Sequence, residues 1–90
     1  MSKIIQSALD AASIAIFHGP SVHGYSATLI HPNGHDVSMP VRAGSLHPSG
    51  QGSTKAEASK SLLSMISGKS IYFNNGRSGK LDVPRDPALE

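Results

Sequence analysis

Two lysines stand at the start of a well-marked helix in the segment GQGSTKAEASK, residues 50–60. Thr54 and Glu57 have the spacing of a capping box, in which the threonine hydroxyl accepts from the Glu57 amide and the carboxylate reaches back to the Thr54 amide. Lys55 then lies in the first turn, beside amides that are free to meet phosphate oxygens, and Lys60 follows further along. This spacing predicts a phosphate-binding surface. The same residues are also typical of any capped surface helix, so the pattern does not identify the ligand.

Two further cations, Arg77 and Lys80, lie at the tip of a predicted hairpin whose strands are residues 71–73 and 81–83. Together with the two lysines of the helix start they can hold phosphates. The formal net charge is only +2, from eight Lys and Arg against six Asp and Glu, so a basic surface must come from local clustering. The alternative interpretation is that all four cations are simply solvated.

Enzymatic and metal chemistry find little support in the sequence. No Gly-x-Ser-x-Gly motif is present, and the absence of cysteine excludes disulfides and every zinc site that needs sulfur. His31 and His35 could face each other across a hairpin, but two imidazoles do not complete a zinc site. The missing ligands would have to come from His23, His47 or Asp36. We therefore interpret the pair as turn histidines and expect a non-enzymatic protein with no metal and no cofactor.

Apolar residues near the N-terminus recur at helical spacing and predict a first helix with Ser2 as its N-cap. Residues 13–17 either extend this helix or form a short strand before the breaker at residues 18–20. The apolar stripe consists of Ile4, Ile5, Ala8, Leu9 and Ala12.

Two alternating segments, residues 25–30 and 37–41, predict a hairpin. A three-residue loop would pair Leu29 with Val37 and unite the two apolar faces, whereas a two-residue turn would shift the pairing by one residue. We prefer the first register. Pro40 makes the second strand an edge strand or places a bulge there. The apolar faces consist of Tyr25, Ala27 and Leu29 in the first segment and Val37, Met39 and Val41 in the second.

Residues 43–52 are rich in Gly, Ser and Pro and predict a mobile connection. The second helix follows the capping box and is expected to end at Gly68, because glycine readily adopts the left-handed conformation that closes a helix. Its predicted buried stripe is Ala56, Ser59, Leu62, Leu63 and Ile66, with Glu57, Lys60, Ser61 and Ser64 facing water.

The predicted order is helix, an optional strand, two strands, helix and a closing hairpin. This order indicates an α+β fold, with two helices packed on one face of a small antiparallel sheet of three to five strands. Residues 1–83 form the predicted single domain and residues 84–90 a C-terminal tail, in which Leu89-Glu90 could be a cloning scar. Residues 4–17 are too polar for a membrane span or a signal peptide, so we expect a cytoplasmic protein.

Two short motifs resemble those of a known family. The loop Gly-Pro-Ser-Val-His at residues 19–23 is similar to the Gly-Pro-x-His loop of the double-stranded RNA-binding domain, and residues 52–58 resemble the approach to that family's second helix. If residues 14–17 are a strand, the first 67 residues run helix, three strands, helix, which is the family's order. The resemblance implies that both helices and the loop histidine touch successive minor grooves of duplex RNA, while lysines hold phosphates between them. By that analogy the contacts are Gln6, His23, Lys55 and Lys60.

The chain also departs from the family's pattern. One residue is inserted before His23, the following aromatic comes early at Tyr25, and the usual lysine cluster is reduced to Lys55. No glycine or proline stops the first helix at residues 11–12, and the hairpin after Gly68 is additional.

Two functional hypotheses follow. The first is a nucleic-acid-binding module, with duplex RNA favoured, and its site residues are Gln6, His23, Lys55, Lys60, Arg77 and Lys80. The second is a small inhibitor or adaptor that docks on a larger protein complex through the strand around Pro40 or the histidine-bearing hairpin. In its small size and its lack of recognisable motifs such a protein resembles phage- or plasmid-encoded antagonists, for example anti-CRISPR proteins. A homodimer is compatible with either hypothesis.

Overall fold

The computed structural model describes residues 3–22, 24–32, 37–42, 44–73 and 79–87, so the predicted N-cap Ser2 and the terminal Leu89-Glu90 lie outside the described residues. The described residues form two helices and seven strands, which confirms the predicted α+β fold. In chain order the elements are α1 (Lys3–Ala11), β1 (Ala15–Ser21), β2 (Gly24–Ile30), β3 (Met39–Val41), β4 (Gly44–Leu46), β5 (Ser49–Gly52), α2 (Lys55–Ile66), β6 (Ser70–Tyr72) and β7 (Lys80–Asp82).

The main sheet is a three-stranded antiparallel sheet in the order β1-β2-β5. His18 of β1 lies opposite Ala27 of β2, which in turn lies opposite Gly50 of β5. Successive side chains of a strand point to opposite faces, so this row shares one face, and Phe17 and Thr28 share the other. Two separate ribbons, β3-β4 and β6-β7, complete the described strands.

Both helices cover the face of the sheet that carries Ala27. Helix α2 packs on β5 and β2, and α1 contributes Ile5 and Leu9 to the same apolar cluster. Burial of these side chains supplies most of the stability available to a chain of this size. The buried apolar residues are Ile5, Leu9, Ile14, Ala27, Leu29, Val37, Met39, Ala58, Leu62, Leu63, Ile66, Ile71 and Val83.

Helix α1 ends at Ala11 although no glycine follows it. Ser13 adopts a left-handed conformation with φ of 60°, and its amide donates to the carbonyl of Asp10 at 3.0 Å. The amide of Ile14 donates to the carbonyl of Leu9 at 2.9 Å, which completes a Schellman motif. The buried side chains of Leu9 and Ile14 belong to one cluster. The turn into β1 is therefore made by a serine in the position that glycine usually occupies.

Helix α2 approaches β5 closely because two glycines lie beneath it. A Cβ placed on Gly50 would collide with the backbone of Ala58 and Leu62, and would lie 2.9 Å from the carbonyl carbon of Ser61. A Cβ placed on Gly52 would lie 2.5 Å from the Glu57 Cβ. The two glycines alternate along the strand, so both present their empty side to the helix.

The predicted hairpin between residues 25–30 and 37–41 is wrong. Strand β2 pairs on one side with β1 and on the other with β5, so neither edge is available to residues 37–41. Strand β3 pairs instead with β4, and Ser38 exchanges two backbone hydrogen bonds with Tyr72, at 2.8 and 2.7 Å. The alternating pattern correctly identified Val37 and Met39 as buried, but alternation does not specify the strand's partner.

Three further predictions are corrected by the structure. The expected mobile connection over residues 43–52 contains β4 and β5. Residues 15–17 are strand, and β1 continues through the predicted breaker at residues 18–20 to Ser21. In α2 the buried alanine is Ala58 and not Ala56, because the stripe faces the glycines of β5.

The closing hairpin forms as the sequence predicts, with each strand beginning one residue earlier than predicted. Gly68 follows α2 with φ of 71°, and β6 pairs with β7 in a hairpin. The Gly68 amide donates to the carbonyl of Pro84 at 3.3 Å, and the Asp86 amide donates to Ser67 Oγ at 2.8 Å. Residues 84–86 therefore run past the end of α2. Neither described helix has the length and apolar character that crossing a membrane requires.

Candidate nucleic-acid interface

The N-terminus of α2 is capped as the sequence predicts, with one difference. Thr54 has an extended backbone, and its Oγ1 accepts from the Glu57 amide at 3.1 Å. The Glu57 carboxylate reaches one residue further back than expected, to the hydroxyl of Ser53 at 2.6 Å and its amide at 3.0 Å. These two hydrogen bonds, the hydroxyl first, lower the pKa of Glu57 below its ordinary value of 4.5.

The capping interactions leave part of the helix start open to a ligand. Within the described chain, the backbone amides of Lys55 and Ala56 donate to no acceptor, and both residues are exposed. The first intrahelical bond runs from Ala58 to Thr54, at 3.0 Å. The Glu57 carboxylate is bonded to Ser53 at this end of the helix, and its negative charge repels a phosphate there. A phosphate contact therefore depends on the two amides and on the lysine side chains.

Lys55 is held over an aromatic ring. Its Nζ lies 5.9 Å from the centroid of the Tyr25 ring, within the range of a cation–π interaction. Tyr25 shares the face of Ala27, as the sequence predicts, but it stands at the end of β2 beyond the core and is 37% exposed. Its partner across the sheet is Gly52, shortly before α2, and this pairing brings the ring to the first helical turn. The ring orients the ammonium without neutralising its charge.

Lys60 and Lys80 differ in their surroundings. Lys60 is exposed on α2 and forms no salt bridge with the residues that the structure describes. Lys80 Nζ lies 3.5 Å from the Asp82 carboxylate, on a ribbon separate from the main sheet. The Ser70 hydroxyl and then the charge of Lys80 lower the pKa of Asp82. Lys80 is therefore partly compensated, whereas Lys60 is not.

Gln6 lies on α1, and its Nε2 donates to the Asp10 carboxylate at 3.1 Å. A contact between the Gln6 amide and a nucleic acid would have to coexist with this bond or replace it. His23 and Arg77, the remaining predicted contacts, lie outside the described residues. Lys55 and Lys60 thus lie on the same helix, but five residues apart and about 140° apart around its axis, and Lys80 lies on a different element.

A cleft of about 480 Å³ is lined by α1, the turn that follows it, β1 and one residue of α2. At its inner wall the Nε2 of His18 and the Oγ of Ser59 lie 2.5 Å apart. The sequence indicated a buried Ser59 but gave no signal that His18 would meet it. The lining of this cleft, hereafter the α1–α2 cleft, consists of Gln6, Asp10, Ser13, Ile14, Ala15, Ile16, His18 and Ser59.

The pair of His18 and Ser59 has the atoms of a base and a nucleophile but lacks their supporting groups. No described residue holds the Nδ1 of His18, and the amides that follow Ser59 are engaged within α2. Nucleophilic catalysis requires an oriented base and donors for the developing oxyanion. We therefore interpret the pair as a contact that joins β1 to α2.

The histidine pair considered for zinc is not assembled by the described residues. His31 stacks on Phe73 with ring centroids 4.5 Å apart, and His35 lies outside the described residues. Within the described ranges, no group of three or more His, Asp or Glu side chains is arranged to hold a metal ion.

Apolar side chains are exposed on the main sheet and on the β3-β4 ribbon, among other places. Phe17 and Ile30 are 55% and 45% exposed on the face of the main sheet away from the helices. Val41 and Leu46 are each 42% exposed on the β3-β4 ribbon.

No protein-family model, curated protein or solved structure is significantly similar to this chain.

Proposed function

We propose that the chain is a small non-enzymatic module that binds nucleic acid, duplex RNA in preference, at the N-terminus of α2. The observation that carries the proposal is the arrangement of Lys55. Its ammonium is oriented by the Tyr25 ring, has no carboxylate partner among the described residues, and belongs to a helix turn with two open amides. A preoriented cation beside backbone donors suits a phosphate oxygen.

The order of the main elements supports duplex RNA as the ligand. Helix α1, the antiparallel strands β1, β2 and β5, and then α2 follow one another as in the double-stranded RNA-binding domain, with the β3-β4 ribbon inserted before β5. A-form RNA is recognised mainly through its shape, its phosphates and its 2′-hydroxyls, which requires few aromatic residues. The chain has only four Phe and Tyr residues, and the two exposed ones, Phe17 and Tyr25, lie on opposite faces of the main sheet, which disfavours a single-strand platform.

The test is a fluorescence-anisotropy titration of duplex RNA, duplex DNA and single strands at two salt concentrations. The Lys55→Ala, Lys60→Ala double variant should bind duplex RNA at least about tenfold more weakly and show a smaller salt slope, by about 0.7 to 0.9 for each phosphate that it no longer engages. Lys69→Ala is the matched control, because Lys69 is exposed beyond the other end of α2. Equal affinity of the double variant and the wild type would reject the proposal.

Docking on a protein is the second candidate, and the β3-β4 ribbon favours it. Val41 and Leu46 are exposed beside Pro40, and such apolar side chains on a short ribbon suit a protein partner. Under this hypothesis a Val41→Ser, Leu46→Ser variant loses its partner in a pull-down, whereas the lysine variant keeps it. If the lysine variant loses affinity for duplex RNA and the Val41→Ser, Leu46→Ser variant keeps it, the first function is favoured.

A further inference from the structure

The α1–α2 cleft is large enough to hold a small ligand, and Asp10, Ser13 and Ala15 of its lining are exposed. Its volume of about 480 Å³ falls within the range of about 300 to 1,000 Å³ that small-molecule sites occupy. The side chains of Ile14 and Ile16 provide apolar surface, and polar groups converge from α1, from the turn after it, from β1 and from α2.

Three polar atoms of the cleft can accept hydrogen bonds from a ligand. One oxygen of the Asp10 carboxylate accepts from Gln6, and the other oxygen has no partner within the described chain. The Gln6 carbonyl oxygen and the Ser13 hydroxyl are likewise unengaged by the described residues. A ligand that satisfies these atoms must carry several hydrogen-bond donors.

The charge of the cleft further limits the kind of ligand that it can bind. Asp10 is the one charged side chain in its lining, so the cleft is locally negative although the whole chain carries a formal charge of +2. His18 is the other titratable group there, and its Nε2 is engaged by Ser59. A cation is therefore favoured over a phosphate or a carboxylate.

We propose that the α1–α2 cleft binds a guanidinium group. A planar guanidinium presents paired N–H donors that match a carboxylate, and further donors that can reach the Gln6 carbonyl and the Ser13 hydroxyl. The methylene stem that carries such a group in arginine can lie against Ile14 and Ile16. A lysine ammonium has the same charge but lacks the fork geometry, so it is the weaker ligand.

The test is an NMR titration of the ¹⁵N-labelled chain with L-argininamide, with L-citrullinamide as the control probe whose ureido side chain has a similar shape but no charge. Argininamide should shift the amide signals of residues 6–18 and of Ser59, and citrullinamide should leave them in place. Asp10→Asn should weaken argininamide binding about tenfold or more, the loss expected for one charge-assisted hydrogen bond. Asp82→Asn removes an equal charge from a separate ribbon and should bind as the wild type does.

A second arm distinguishes a free guanidinium compound from an arginine side chain of a protein. n-Butylguanidine and a capped tripeptide with central arginine, which each carry one positive charge, are titrated separately. Tighter binding of n-butylguanidine indicates a free ligand, and tighter binding of the tripeptide indicates a protein. The proposal would be overturned if Asp10→Asn bound argininamide as tightly as the wild type does, or if citrullinamide shifted the same amide signals equally. It would also be overturned if argininamide shifted the signals around other carboxylates and not those of the cleft. The Lys55→Ala, Lys60→Ala variant should keep argininamide affinity, so this inference and the nucleic-acid proposal fail independently.

Discussion

The ammonium of Lys55 stands 5.9 Å from the centre of the Tyr25 ring, although the two residues lie on different elements. The contact exists because β2 pairs with β5, which delivers the chain to the start of α2 directly above the ring. Tyr25 is therefore a positioning residue for the proposed phosphate contact.

Tyr25→Leu should weaken duplex RNA binding about threefold, because an exposed cation–π contact contributes about 0.5 to 1 kcal/mol. Tyr25→Phe keeps the ring and should bind as the wild type does, which separates ring orientation from a hydrogen bond of the phenol. Anisotropy titrations at one salt concentration measure both variants. Equal weakening by the two substitutions would contradict a role for the ring.

Gly50→Ala should destabilise the chain by about 3 kcal/mol or more, because the new methyl group would collide with the backbone of Ala58 and Leu62. Gly19→Ala is the control on the same sheet, since a Cβ there meets Phe17 and Ser26 at 3.5 and 3.7 Å, which is ordinary contact. Urea denaturation followed by circular dichroism measures both. A Gly50→Ala variant as stable as Gly19→Ala would show that α2 does not lie so close to β5.

Ser13→Gly should stabilise the chain by about 1 kcal/mol, because Ser13 has a left-handed backbone that glycine adopts without strain. Ser13→Ala keeps the strain and should not gain stability. Thermal unfolding of the three proteins provides the comparison. Destabilisation by glycine would mean that α1 does not end in the observed Schellman motif.

Stability should decrease as the pH falls below about 4.5, the ordinary value for Glu57. The folded pKa of Glu57 is lowered by the Ser53 hydrogen bonds, so the unfolded chain binds more protons in this window and acid favours unfolding. Asp82, whose pKa is also lowered, adds to the effect below about 3.8.

Glu57→Gln should therefore reduce the loss of unfolding free energy as the pH falls from neutral to below about 4.5. Denaturant titrations at several pH values measure the slope. An unchanged slope in Glu57→Gln would place the responsible carboxylates elsewhere, and Asp82→Asn then becomes the next variant to compare.

Local sequence rules identified the features that depend on neighbouring residues. The Thr54 cap, the left-handed Gly68 and the β6-β7 hairpin are all specified within a few positions of the chain. The partner of residues 37–41 was not predictable in this way, because a buried alternating strand can pair with any complementary edge. The first helix ends without glycine because Ser13 adopts a conformation that serine seldom uses.

In the candidate sites, too, local features were predictable and contacts between distant residues were not. The exposure of Lys55 and Lys60 on α2 followed from spacing alone, and their role as phosphate contacts stays a prediction. The contact with Tyr25 and the bond between His18 and Ser59 each join residues that are far apart in the chain, so they require the sheet pairing to be known. Gly50 and Gly52 suggested flexibility because glycine has no side chain whose burial could be inferred, yet they lie in an ordered strand.

The two glycines of β5 also govern how the cationic surface is presented. A side chain at either position would lift α2 off the sheet, and the ammonium group of its first turn would move away from the ring below. The proposed phosphate contact of Lys55 would then lose its positioning ring although the lysine itself remained in place. Under the proposed function, variants with a side chain at either position should bind duplex RNA more weakly even though Lys55 and Lys60 are unchanged.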